Sequence, residues 1–113
     1  MKIPNIEQGL VPERKLTHYL LDSTHPAGGS KAKFFLRFWF KRSEWKSLAE
    51  KLMQHAQEND AAEIEATEYG IRYVVDGILI APDGTNLNIR SAWFIRNHDL
   101  MPVFVTAHPL PKI

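Results

Sequence analysis

Cysteine is absent from the chain, which excludes disulfides, thiolate nucleophiles and zinc–thiolate sites together. No run of about 18 apolar residues occurs that would cross a bilayer, and Met1–Leu10 lacks the apolar segment of a signal peptide. A cytoplasmic protein without membrane association is expected. Neither sign of charge predominates: 14 Lys and Arg against 13 Asp and Glu leave a formal net charge of +1. Any polyanion must therefore be held by a local patch rather than by a global field. Histidines stand at positions 18, 25, 55, 98 and 108 without an H-E-x-x-H or comparable spacing. No metal or cofactor is expected. The G-x-x-x-x-G-K-[ST] spacing is missing around Gly28-Gly29-Ser30-Lys31 and no nucleophile elbow is present, which argues against a nucleotide triphosphatase and an α/β-hydrolase alike. A long Pro, Gly or Ser linker is also missing, so residues 1–113 read as one domain.

What is present is aromatic: six Phe, three Trp and three Tyr, bulky material for one core. The densest stretch, Asp22–Phe40, joins a loop to a helix. Pro26 and the Gly28-Gly29 pair interrupt any helix through Ser23, Thr24 and His25. Ser30 stands where an N-cap belongs, before a helix running from Lys31 to Phe38. Lys31 and Lys33 then occupy the positive end of that helix, a mild conflict that a nearby anion would relieve. The helical half spans about 11–58. Within it, Val11–Leu21 repeats Leu16, Tyr19 and Leu20 on one side, with His18 at its boundary. Ser43 is placed to cap a third helix from Glu44 to about Glu58, whose apolar stripe is Trp45, Leu48, Ala49, Leu52 and Ala56. His55 is expected on its exposed side, and Asn59–Glu65 reads as an acidic connector.

A sheet over about 66–108 follows, with strands at Tyr69–Ile80, Leu87–Ile95 and Val103–His108. Pro82-Asp83-Gly84 suits a tight turn that sets Ala81 opposite Thr85. Asp76 then faces Arg90, Val74 faces Ala92 and Arg72 faces Phe94. One sheet face is apolar, through Ile71, Tyr73, Val75, Leu79, Leu87, Ile89, Trp93 and Ile95. Pairing Ile95 with Val103 puts Val103 and Val105 on that face and leaves Phe104, Thr106 and His108 on the polar one. Arg72, Asp76, Arg90, Thr106 and His108 would then form one cluster beside Phe94 and Phe104. Such a set supplies an acid or base, cations for a charged phosphorane and an aromatic platform, the needs of a metal-independent ribonuclease. The plainer reading makes Asp76–Arg90 a cross-strand ion pair and buries the two phenylalanines under a loop or partner.

The succession His25-Pro26-x-Gly28-x-x-Lys31-Ala32-x-Phe34-Phe35, Tyr69-Gly70-x-Arg72-Tyr73-x-Val75-Asp76, Pro82-Asp83-Gly84, Arg90-Ser91-x-Trp93 and Val105-Thr106 resembles a small bacterial domain family of unknown function. The resemblance implies a module found alone or at the C-terminus of larger secreted toxins, sometimes beside a small β-rich immunity protein or antitoxin. In the order of its elements the chain is also similar to the barnase, EndoU, colicin and RelE group of ribonucleases. The family motif points to His25, Lys31, Arg72, Asp76, Arg90 and Thr106; the strand register adds His108. The expected fold is α+β, with N-terminal helices on one face of a three- to four-stranded antiparallel sheet. The expected function is a toxin-type, metal-independent endoribonuclease acting on RNA. In that role His25 or His108 is acid or base, Lys31, Arg72 and Arg90 hold phosphate, and Thr106 positions the substrate. The alternative is a non-catalytic interaction module, antitoxin-like or partner-binding.

Overall fold

A computed structural model describes residues 1–111. After a 3₁₀ turn at Ile6–Gln8 come a short helical turn α1 (Glu13–Lys15), continued by a π-helical turn over Leu16–Leu20, then α2 (Gly29–Arg37) and α3 (Trp45–Glu58). The strands β1 (Ala61–Thr67), β2 (Gly70–Ile80), β3 (Asn86–Arg96) and β4 (Val103–Pro109) form an antiparallel sheet in the order β1-β2-β3-β4. This is the expected α+β arrangement of helices against one sheet face. Among the described residues no helix is long and apolar enough to cross a membrane.

The helices cover the face of Tyr73, Val75, Leu79, Leu87, Ile89 and Trp93, all buried. Phe35 of α2, Phe40 after it, and Leu48, Leu52 and Ala56 of α3 close the same core. The β2–β3 hairpin follows from its turn. Across it Ala81 N–H donates to Thr85 O and Gly84 N–H donates to Ala81 O, and Asp76↔Arg90, Val74↔Ala92 and Arg72↔Phe94 are the observed pairs. Gly84 takes φ 85°, the left-handed value the turn needs.

Five expectations change. The acidic connector is in fact β1, paired along β2 with an irregularity between Ala61 and Glu63. Glu63 and Glu65 lie opposite Val74 and Arg72 on the outer face, so the stretch alternates as an edge strand does. Ser30 does not cap α2: the cap position is Gly28, and Ser30 lies inside the first turn. Ser43 does not cap α3, because it sits within a 3₁₀ turn over Arg42–Glu44 that leads into the helix.

The fourth change concerns β4. Arg90↔His108 and Ala92↔Thr106 pair as expected, but a bulge at Val105 shifts the rest by one, giving Trp93↔Phe104 and Phe94↔Val103. Phe104 is therefore fully buried, edge-on to Trp93 at 5.4 Å between ring centroids, and does not join Phe94 on the outer face. A one-residue shift exchanges faces because side chains alternate.

The fifth is His55, which is 1% exposed. Its Nε2–H donates to the carbonyls of Ile89 (2.9 Å) and Gly77 (3.2 Å), and its Nδ1 accepts the Ser91 hydroxyl at 3.0 Å. Ser91 Oγ in turn accepts Trp93 Nε1–H at 2.9 Å. Every polar atom in this chain of bonds has a partner, which is what permits its burial. Burial holds the His55 imidazole below its usual value, although the two carbonyls pull the other way.

Candidate functional site

Tyr19 lies in the π-helical turn, where Leu21 N–H bonds Leu16 O at 2.7 Å. Such widened turns recur at functional sites. Here Leu16, Thr17 and Leu20 are buried while Tyr19, half-buried, reaches the edge of the sheet. Lys31 projects from the start of α2 and donates to Tyr19 Oη at 2.7 Å and to Thr106 Oγ1 at 3.2 Å. The third side, Tyr19 Oη to Thr106 Oγ1, is 2.9 Å. Three elements far apart in the chain thus close one triangle. The bulge at Val105 sets the local geometry of the strand that presents Thr106.

The Asp22–Gly29 loop supports this triangle. Asp22 Oδ1 accepts the Thr24 amide and hydroxyl, which together hold its carboxyl below the usual carboxylate value. His25 Nδ1 accepts the Ala27 and Gly28 amides, each at 3.0 Å, so its proton resides on Nε2. The His25 ring meets Tyr19 edge-on at 5.1 Å. Gly28 is required at its position, since a Cβ there would stand 2.7 Å from the Tyr19 ring.

Charge is unbalanced in the triangle. The ion pairs of the described residues do not include Lys31, whose partners are two hydroxyls. Partial burial pushes the Tyr19 phenol up, but the Lys31 and Thr106 hydrogen bonds and the Lys31 and Lys15 charges together leave it below the usual tyrosine value. Lys15 Nζ lies 5.6 Å from the Tyr19 ring centroid. The lysine at the helix N-terminus is thus met by two hydroxyl oxygens, those of Tyr19 and Thr106. Along residues 13–46, Arg14, Lys15, Lys31, Lys33, Arg37, Lys41, Arg42 and Lys46 outnumber Glu13, Asp22 and Glu44.

The remaining expected site residues lie on the outer sheet face. Arg90 makes a two-pronged pair with Asp76, Nε to Oδ1 at 2.7 Å and Nη2 to Oδ2 at 2.8 Å, and its Nη1 stands 3.5 Å from Glu63. The Arg90 hydrogen bond holds the Asp76 carboxyl below its usual value and raises the guanidinium. His108 is opposite Arg90, with Nδ1–H donating to Pro109 O at 3.1 Å. Arg72 lines a groove with Glu63 and Glu65. So Tyr19 joins Lys31 and Thr106 by hydrogen bonds and His25 by ring contact. Asp76, Arg90 and His108 share the outer face, with Arg90 neutralised by Asp76 and Glu63 and Arg72 outside the ion pairs of the described residues. Among the described residues, no three His, Asp or Glu side chains converge as a metal site.

Tyr19 was missed as a site residue because it shares a helical stripe with Leu16 and Leu20 and reads as core. The available signal is chemical: a buried tyrosine ring needs a partner for its hydroxyl. A family model for a domain of unknown function, DUF6883, matches residues 2–111. The chain belongs to the DUF6883 family. No functionally curated protein matches it in sequence. Among solved structures, it is similar to a chain of the "Contact-dependent growth inhibition toxin - immunity protein complex from Klebsiella pneumoniae 342". The TM-score is 0.74 over 95% of this chain and 97% of that one, at 17% identity. At that identity the likeness shows a shared fold.

Proposed function

We propose that this DUF6883 domain is a toxin-type, metal-independent endoribonuclease whose proton-transfer centre is Tyr19, Lys31 and Thr106. The observation that carries the reading is Lys31 Nζ at 2.7 Å from a phenol held below its usual value, the ion pairs of the described residues not including the lysine. In its deprotonated form, which the Lys31 charge favours, Tyr19 takes the proton of a ribose 2′-hydroxyl, and the 2′-oxygen attacks the adjacent phosphorus. The P–O5′ bond breaks, a 2′,3′-cyclic phosphate forms, and the Lys31 ammonium gives its proton to the departing 5′-oxygen. Proton transfer from Tyr19 to Lys31 along their hydrogen bond restores the starting pair. During the reaction Lys31 also faces the charge that builds on the phosphoryl oxygens, and Thr106 holds the two groups in register. His25 Nε2–H is a positioned donor for a phosphate oxygen, while its Nδ1 is committed to the loop.

The similar structure is named as part of a toxin–immunity complex, which favours a toxin or immunity role. A second reading has its own observation. The exposed edge strand β1 carries Glu63 and Glu65 and is flanked by Glu58, Asp60 and Glu68, with no Lys or Arg among residues 58–68. That edge suits an interaction module or an immunity-type partner adding a strand. Induced expression separates the readings. Growth arrest with fragmented cellular RNA, relieved by Lys31→Met, is expected of the enzyme; normal growth with intact RNA supports the interaction module.

A further inference from the structure

Where the start of the helical half meets the edge of the sheet, a cavity of about 320 Å³ is lined by Phe94, Arg96, Asp99, Met101, Val105 and Lys15, among others. Its lining adjoins the triangle through two residues. Val105 is the bulge residue next to Thr106, and Lys15 Nζ lies 5.6 Å from the Tyr19 ring. Its chemistry is mixed in a particular way. The half-buried Phe94 ring and Met101 offer a flat apolar surface, and two cations, Lys15 and Arg96, stand at its rim. The ion pairs of the described residues engage neither cation. Asp99 Oδ1 is turned to its own loop, taking the Leu100 amide at 2.8 Å and the Met101 amide at 3.4 Å.

A planar heterocycle joined to an anion fits such walls, and the volume lies in the range of small-molecule sites, about 300–1,000 Å³. A fatty chain would leave both cations idle, and an inorganic anion would leave the aromatic wall uncovered. We propose that this cavity is the subsite for the nucleobase flanking the scissile phosphate, with Phe94 as the stacking surface and Lys15 and Arg96 as phosphate contacts. The proposal rests on the ribonuclease reading above. It adds a specificity-determining residue, Phe94, that lies outside the proton-transfer triangle.

The test titrates the full chain with each of the four nucleoside 3′-monophosphates and, separately, with inorganic phosphate, following backbone amide resonances. At least one nucleotide is expected to shift Phe94, Arg96 and Met101, and phosphate alone is expected not to. Phe94→Leu should weaken that nucleotide about tenfold or more by losing the stack. It should also raise KM for RNA by a similar factor while kcat stays within about threefold. Arg96→Gln, at an exposed position, should weaken nucleotide binding without unfolding the chain and covers the case in which Phe94→Leu does not fold. Nucleotide shifts confined to other residues, or binding unchanged in a folded Phe94→Leu or Arg96→Gln variant, would overturn the proposal. RNA cleavage that needs Tyr19 and Lys31 without nucleotide in the cavity sinks this inference alone. Nucleotide seated there with RNA left intact sinks the ribonuclease reading and leaves a nucleotide-binding site.

Discussion

Two polar clusters flank β4, and they are built on opposite principles. On the outer face Arg90 is matched by Asp76 and Glu63, so opposite charges cancel and Arg90's hydrogen-bonding fork is largely occupied. At the sheet edge Lys31, among the described residues, is matched only by the hydroxyls of Tyr19 and Thr106. The Arg90 pair is satisfied without a ligand, whereas the edge cluster holds a cation beside a phenol of lowered pKa. Residue types alone favoured the outer face, which carries more charged side chains. Pairing is the ground for the proposal's choice of the edge cluster, because a satisfied arginine has little left to offer a phosphate.

The largest expected difference between the clusters is catalytic. Tyr19→Phe and Lys31→Met should each lower RNA cleavage by about 10²–10⁴-fold, as loss of a proton-transfer group does. Arg90→Ala should leave the rate within about threefold, since it touches none of the three groups. Gly28→Ala comes next. A methyl group 2.7 Å from the Tyr19 ring must displace that ring, and misplacement of about 1 Å costs on the order of 10²-fold. Initial rates measured with thermal melting distinguish this from unfolding.

On stability the ranking inverts. Asp76→Asn should cost about 1 kcal/mol by chemical denaturation, since the pair is only partly buried. Tyr19→Phe should cost a similar amount or less, having removed one hydroxyl. The smallest effect is graded by pH. Asp76 has a depressed carboxyl, so its contribution is present above its unfolded value near 3.8 and is lost as pH falls through the lower folded value. His55 behaves differently. Its folded imidazole resists protonation, so below the ordinary 6.5 the unfolded chain takes up the proton first and stability declines towards the lower folded value. Denaturation between pH 7 and 5 should show this decline, and a His55→Gln variant that still folds should flatten it.

Much of the sheet was legible because Pro82-Asp83-Gly84 ties β2 to β3 locally and alternation carries the register along both strands. The β3–β4 connection has no such pin. Its far half followed the simple pairing, yet the extra residue at Val105 exchanged the faces of Phe104 and its neighbours. His55 illustrates a signal that was available. It stands three residues after Leu52 on the stripe of α3, and only its polarity argued for solvent. The triangle itself lay beyond sequence reasoning in one respect. Lys31 and Thr106 were singled out separately, but nothing local says that residues 75 positions apart meet at 3.2 Å with Tyr19 between them.

The most direct test is incubation of the purified protein with total bacterial RNA in EDTA, beside folded Tyr19→Phe and Arg90→Ala variants. Cleavage by the wild type and by Arg90→Ala, with Tyr19→Phe inactive, is the predicted result. Cleavage that survives Tyr19→Phe but is lost with Arg90→Ala would move the centre to the outer face, and intact RNA throughout would contradict the ribonuclease account itself.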